Sequence, residues 1–143
     1  MITSRKIEDL ADVLQPIATE LVAVCKANTI DLLITCTLRD GEAQTALYAQ
    51  GRTKPGKIVT WAKAGESLHE YAVAFDVVPL RNGKPVWGTK GEDLKIWQLV
   101  GTLGKELGLE WAGDWSNGKR EFPHFQYTGG LTLADFKAGK MPQ

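Results

Sequence analysis

At 143 residues the chain has ordinary single-domain length, long enough to bury one core and short for two. Seventeen Lys plus Arg balance seventeen Asp plus Glu, so no global charge draws it to nucleic acid or an anionic membrane surface. No run of about eighteen apolar residues offers a spanning helix, and Met1 to Lys6 lack the pattern of a signal peptide, so synthesis in the cytoplasm is expected.

In chain order, Ile7, Leu10, Ala11, Leu14, Ile17, Ala18, Leu21, Val22 and Cys25 fall at three-and-four spacing, which predicts an amphipathic helix from Ser4 to about Ala27. Pro16 predicts a kink or break near Gln15. Ile30 to Thr37 is short, apolar and β-branched, and reads as a mostly buried strand. Asp40 caps a short helix through Ala43, Leu47 and Tyr48 that ends near Gly51. Residues 51 to 65, with Pro55, Gly56 and three lysines, read as a loop holding one brief strand at Ile58 to Trp61. Cys25 and Cys36 sit among apolar neighbours without a Cys-x-x-Cys spacing, as two buried free thiols.

Tyr71 to Leu80 predicts a strand that carries Asp76, and Asn82-Gly83 a tight turn into Lys84 to Trp87. Thr89-Lys90-Gly91-Glu92 has the form of a capping box, opening a helix through Leu94, Trp97, Leu99, Val100, Leu103 and Leu107 that Gly108 stops. Leu109 to Trp115 and Phe122 to Tyr127 read as the last strands, joined by the polar loop Ser116-Asn117-Gly118-Lys119-Arg120, and Thr132 starts a short terminal helix. Helices interspersed with hairpin-linked strands predict an α+β fold, a small antiparallel sheet flanked by helices, in one domain over 1–143.

The chain has two histidines. His69 precedes Asp76 by seven residues, and His124 follows Glu121 by three. Zinc is held by imidazole nitrogen and carboxylate oxygen, and a catalytic site keeps three protein ligands and one open position. His69, Asp76 and His124 would supply the three, leaving Glu121 as general base. Taken singly, His69 reads first as a solvated loop histidine, Asp76 as a turn or capping carboxylate, and His124 as a satisfied core histidine. Asp76 speaks against the plain reading, because it stands between Phe75 and Val77, where a carboxylate is costly unless paired or metal-bound.

The pattern Ser67-x-His69-x6-Asp76 followed by Glu121-x-x-His124 resembles the zinc peptidases that include D-alanyl-D-alanine carboxypeptidases and dipeptidases and phage L-alanyl-D-glutamate endopeptidases. Leu38-Arg39, Gln44, Leu47 to Thr53, Ile58-Val59-Thr60, Gly108 to Trp111, Gly113-Asp114-Trp115 and Pro123 to Gln126 resemble the last of these, over roughly residues 30 to 130. The resemblance implies a hedgehog/D-Ala-D-Ala peptidase-like fold, one zinc ion on His69, Asp76 and His124, proton transfer by Glu121 and oxyanion stabilisation by Arg39. Ser67 would orient substrate or a neighbouring side chain, unless it is a plain loop serine. Trp111, Asp114 and Trp115, just upstream of Glu121, would wall the peptide cleft, or else pack the core.

Two positions depart from the subfamily pattern: Glu121 stands where Asp is usual, and Ala72 where Gly is usual. The implied activity is zinc-dependent hydrolysis of the L-alanyl-D-glutamate bond in the peptidoglycan stem peptide. The implied setting is a monomeric phage or prophage endolysin released through a holin-type pore. A D-alanyl-D-alanine carboxypeptidase or dipeptidase would use the same chemistry, and a non-catalytic zinc-containing binding domain would use the fold alone, as the related hedgehog signalling domain does.

Overall fold

The computed structural model describes residues 1–116 and 118–143; Asn117, in the polar loop predicted before Glu121, lies outside the described residues. The first helix begins later than its apolar periodicity suggests. Residues 7–9 form one 3-10 turn, and α1 spans Leu14–Ala27. Pro16 is the third residue of α1, inside the first turn, where a backbone N–H has no intrahelical acceptor to lose, so it starts the helix instead of kinking it. Upstream, Ser4 N–H donates to Leu38 O at 2.8 Å and Thr37 N–H to Ser4 O at 2.8 Å, which ties the N-terminal segment to the chain around Arg39.

Strand β1 is Asp31–Cys36 and helix α2 is Gly41–Ala49, capped as expected by the Asp40 side chain, which accepts from Ala43 N–H at 2.9 Å. The brief strand expected at 58 to 61 does not form. Ile58, Val59 and Trp61 are 42%, 47% and 63% exposed, and among the described residues no strand pairs with them. Side chains hold this segment instead: Arg52 Nη2 donates to Thr60 O at 3.0 Å and Gln44 Nε2 to Ala62 O at 2.7 Å.

Residues 68–71, expected as loop and strand, form a 3-10 turn capped by Ser67 and Glu70, closed by Ala72 at φ 61°, ψ 24°. That left-handed geometry favours glycine, so Ala72 holds it at a steric cost that glycine would not incur. Strand β2 then runs Ala74–Arg81. Asn82 and Gly83, both at positive φ, turn it into β3, Lys84–Pro85, shorter than the predicted 84 to 87.

Helix α3 is Glu92–Glu106, with Gly91 at φ 59° as N-cap and no side-chain cap, so the Thr89 capping box is not made. Glu92 and Asp93 in its first turn complement the helix dipole. The strand predicted over 109 to 115 is cut to β4, Glu110–Trp111, followed by a 3-10 turn over 112–114. The cause is the Trp111 indole, which lies over Gly101 and Gly113 so closely that a Cβ at either would overlap it, while its Nε1 donates to Phe122 O at 2.8 Å. Strand β5 is His124–Gln126, and α4, Leu133–Lys137, carries the expected Thr132 capping box with Asp135.

The antiparallel sheet has the order β1-β2-β5-β4, with β3 paired to the end of β2, and the α+β expectation holds. Leu14, Leu21, Phe75, Val77, Trp97, Val100 and Phe125 meet in one core between α1, α3 and the sheet. Each such fully buried side chain contributes about 1.5–3 kcal/mol relative to exposure. Gly104 of α3 lets the helix reach the sheet, since a Cβ there would overlap the Phe125 ring beside His124. Among the described residues no helix is long and apolar enough to cross a membrane.

Candidate active site

Strand register assembles the centre. On β2, Asp76 pairs with Cys36 of β1 on one side and with His124 of β5 on the other, so residues distant in sequence form one row across three strands. His69 reaches this row from the 3-10 turn, held where Arg39 N–H donates to His69 O at 3.2 Å. His69 Nε2 lies 3.2 Å and His124 Nδ1 3.1 Å from the same oxygen, Asp76 Oδ1, with the two rings 5.1 Å apart. Both histidines are nearly buried, their side chains 4% and 12% exposed.

The outward nitrogens fix the tautomers. His69 Nδ1 sits 2.9 Å from Thr37 O, a pure acceptor, so Nδ1 carries hydrogen. Gln126 Nε2 donates to Glu110 Oε2 at 3.1 Å, which turns Gln126 Oε1 toward His124 Nε2 at 2.9 Å, so Nε2 carries hydrogen there. In their neutral forms both rings therefore present lone pairs inward, to a carboxylate. Three acceptors facing one point repel one another unless a cation lies among them, and outer partners that fix histidine tautomers are the usual support of a metal ligand. Two imidazole nitrogens and one carboxylate oxygen suit a divalent metal such as zinc.

Cys36, His69 and Asp76 also bring ligand-type atoms within 4.8 Å of one another. Cys36 Sγ, however, is 3.7 Å from His69 Nδ1, the nitrogen already occupied by Thr37 O, and Sγ accepts from Arg39 Nη2 at 3.3 Å. The set of His69 Nε2, Asp76 and His124 Nδ1 needs no such contact to break.

Without metal, a proton takes the cation's place. Burial by itself pushes the His69 imidazolium down, but the Asp76 charge and hydrogen bond outweigh this, with Cys36 helping, and raise its pKa from 6.5 to about 10. Burial likewise pushes Asp76 up, and the His69 charge with hydrogen bonds from both histidines holds it well below the usual carboxylate range. The sign follows: the raised pKa stabilises the metal-free fold below pH 6.5, and that contribution is lost as pH rises through about 10. Zinc needs the neutral ring, so its uptake by the metal-free protein at pH 7.5 is expected to release about one proton, with affinity climbing as pH rises. Calorimetry in buffers of different ionisation enthalpy measures this; uptake without proton release contradicts it.

A cleft of about 470 Å³ opens on this centre, with Arg39, Thr60, Ser67, Trp115 and Glu121 among the residues on its walls. Glu121 is exposed as a residue, yet solvent removal around its carboxyl raises its pKa, opposed by His124, aided by Asp76, and opposed again by His69 and Arg39. Arg39 lines the cleft without a carboxylate hydrogen-bond partner, donating from Nη1 to Gln44 Oε1 at 3.0 Å and from Nη2 to Cys36 Sγ. Ser67 lines the cleft, while its hydroxyl accepts from His69 N–H at 3.3 Å as a helix cap, orienting the histidine turn.

Trp111 and Asp114, expected on the cleft wall, are not on it. Trp111 is core packing, and Asp114 pairs with Lys105 at 2.9 Å on the surface. Trp115 takes the wall position, its ring 5.6 Å from His124.

Gln44 carries no role in the sequence reading, though it belongs to the recognised pattern. It is fully buried, accepting from Arg39 and donating to Ala62 O and, at 3.3 Å, to Thr60 Oγ1, so it ties the guanidinium to the cleft wall. A buried polar side chain one helical turn after Asp40 is the signal that marks it. Gln44→Ala is expected to lower kcat by about tenfold or more with KM little changed, since small misplacements of a reacting group are costly. Steady-state kinetics check this; unchanged kcat would remove Gln44 from the site.

The family model described as D-alanyl-D-alanine carboxypeptidase matches residues 60–127. Over 123 residues the chain is 37% identical to the peptidoglycan L-alanyl-D-glutamate endopeptidase CwlK of Bacillus subtilis (strain 168), covering 82% of this chain and 73% of that protein. It is 34% identical over 122 residues to the L-alanyl-D-glutamate peptidase of Listeria phage A118, covering 85% of this chain but only 39% of the phage protein. Among solved structures, the L-Ala D-Glu endopeptidase ChiX of Serratia marcescens superposes with a TM-score of 0.62 at 19% identity, covering 94% of this chain and 92% of that one. DacB from Streptococcus pneumoniae D39 gives 0.63 at 19% identity, covering 93% and 78%. At that identity the solved structures speak for the fold alone, and it is the sequence relatives that decide the family: the chain belongs to the D-alanyl-D-alanine carboxypeptidase family of peptidases.

Proposed function

We propose that the protein is a zinc-dependent peptidoglycan hydrolase that cleaves the L-alanyl-D-glutamate bond of the stem peptide, as a monomeric domain with one zinc ion on His69, Asp76 and His124. The observation that carries this reading is the convergence of His69 Nε2 and His124 Nδ1 on Asp76, each with its outward nitrogen committed to another acceptor. The names of the Bacillus and Listeria phage relatives support the bond chosen.

A zinc ion held there supplies Lewis acidity toward the scissile carbonyl and lowers the pKa of the attacking water. Glu121 accepts a proton from that water as its oxygen adds to the carbonyl carbon, and returns it to the departing amine as the C–N bond breaks. A carboxyl pKa lifted by its surroundings suits a group that must both take and give a proton near neutrality. Arg39, which has no carboxylate partner among its hydrogen bonds, keeps its full charge for the oxyanion, the kind of contribution that amounts to a few kcal/mol.

Similarity to a phage peptidase favours a lytic role for the protein; in that role it would meet its substrate after a separate holin-type pore opens the membrane. Mass spectrometry of peptidoglycan digested by the zinc-loaded protein tests the activity. New N-terminal D-glutamate is expected; loss of terminal D-alanine would make it a carboxypeptidase, and intact muropeptides a binding domain.

A further inference from the structure

The cleft continues past Glu121. Thr60, Ala62, Glu66, Trp115 and Glu121 also line an adjoining groove of about 320 Å³, to which Trp61 and Lys119 are added. Trp61 is 63% exposed, yet the segment bearing it is fixed. Arg52 donates to Tyr48 O at 2.6 Å and to Thr60 O at 3.0 Å, and its guanidinium lies 3.7 Å from the Tyr48 ring centre and 5.7 Å from that of Trp61. Gln44 secures the far side of the same segment through Ala62 O. Half-buried Trp115 also lines the groove, its ring 5.6 Å from that of His124.

A fixed indole on the rim of a cleft, sharing its groove with a second indole, offers a ring face that a ligand entering the groove would cover. Two indoles lining one groove that also holds carboxylate and ammonium groups suit a flat ring that has apolar faces and a polar edge. The charge narrows the class. Glu66 and Glu121 outnumber Lys119 in the groove, so a phosphate polymer or a carboxylate-rich peptide would meet net repulsion there, whereas a neutral hydroxylated ring would not.

If the substrate is the stem peptide, one such ring stands beside the reacting bond: the L-alanine nitrogen is acylated by the lactyl group of N-acetylmuramic acid, one residue from the scissile carbonyl. Resting on the endopeptidase reading, we propose that the groove beyond Glu121 is a saccharide subsite that holds the N-acetylmuramyl pyranose, with Trp61 as its stacking face. The protein then recognises the glycan and the peptide together and favours stem peptides still attached to glycan.

The test compares two substrates that share one stem peptide, with either N-acetylmuramyl or plain N-acetyl on the L-alanine. The wild-type protein is expected to show kcat/KM about tenfold higher on the muramyl substrate, equivalent to about 1.4 kcal/mol. In Trp61→Ala that ratio should collapse toward one. Independently of any variant, N-acetylmuramyl-L-alanine should inhibit the wild-type protein more strongly than N-acetyl-L-alanine. Equal rates on the two substrates, a ratio untouched by Trp61→Ala, or equal inhibition by the two products would overturn the subsite and leave the endopeptidase reading standing. Cleavage of neither substrate at the alanyl-glutamate bond, with release of D-alanine instead, would overturn that reading and the subsite with it.

Discussion

Glu121→Gln is expected to lower kcat by about 10²–10⁴-fold while zinc content and thermal midpoint stay near their wild-type values, which is the range ascribed to general acid-base catalysis. The substitution keeps the shape of the side chain and removes its ability to take a proton. Glu121 supports His124 only through its backbone carbonyl, which accepts from His124 N–H at 3.3 Å and is kept in the variant, while the imidazoles are held by other groups: His69 by Thr37 O and His124 by Gln126. The metal centre should therefore survive, which separates this variant from one that simply unfolds. Glu121→Asp, with the residue more usual at this position, should retain measurable turnover through a shorter reach. Metal analysis beside single-turnover kinetics decides the matter; a Gln variant that turns over at the wild-type rate would exclude Glu121 as the proton carrier.

His69→Ala carries the second large effect, on metal binding and turnover together. Disturbing the outer partners of a ligand typically costs about 10–100-fold in metal affinity, and removing a ligand should exceed that. Protein purified with zinc is expected to come out nearly metal-free, with cell-wall hydrolysis below detection. The loss has a structural side too, because Thr37 O keeps no imidazole partner in the buried interior and Asp76 loses one of its two. Circular dichroism establishes whether the fold remains. Cys36→Ser distinguishes the two ligand sets that share His69 and Asp76: zinc should stay bound, since the thiol lies behind the imidazole beside Nδ1. Zinc retained in His69→Ala at full stoichiometry would end the assignment, and zinc lost from Cys36→Ser but kept in His124→Ala would move it to the cysteine set.

Much of the local structure was legible as residue pattern because it rests on contacts close in sequence. The Asp40 cap of α2, the Asn82-Gly83 turn, the Gly108 stop after α3 and the Thr132 capping box each depend on a few neighbouring backbone groups, and each is found where expected. Expectations failed where a distant partner decides. Residues 58 to 61 have strand chemistry, but the backbone carbonyls of Thr60 and neighbouring Ala62 are taken by the distant side chains of Arg52 and Gln44, which hold the segment as a cleft wall. The helical periodicity of residues 4 to 13 yields to hydrogen bonds of Ser4 with Thr37 and Leu38 and of Ala11 N–H with Ala72 O at 2.9 Å. Trp111 and Asp114 lie in the same short segment as Trp115, and only Trp115 faces the cleft, because Trp111 fills the space left by two glycines, one of them ten residues upstream on α3.

The candidate centre divides in the same way. By itself the sequence determined the ingredients: two histidines, a carboxylate set among apolar residues, and Glu121 three positions before His124. Residue types fix which atoms can donate, accept or ligate, and that chemistry does not depend on the fold. Only the tertiary structure decided that these atoms meet. Strand pairing put His124 opposite Asp76, the turn ending at Ala72 delivered His69 to the same oxygen, and Thr37 O with the Glu110-Gln126 pair selected the nitrogen that each ring turns inward. Those choices depend on backbone carbonyls, register and side-chain orientation between segments far apart in the chain, none of which local spacing records.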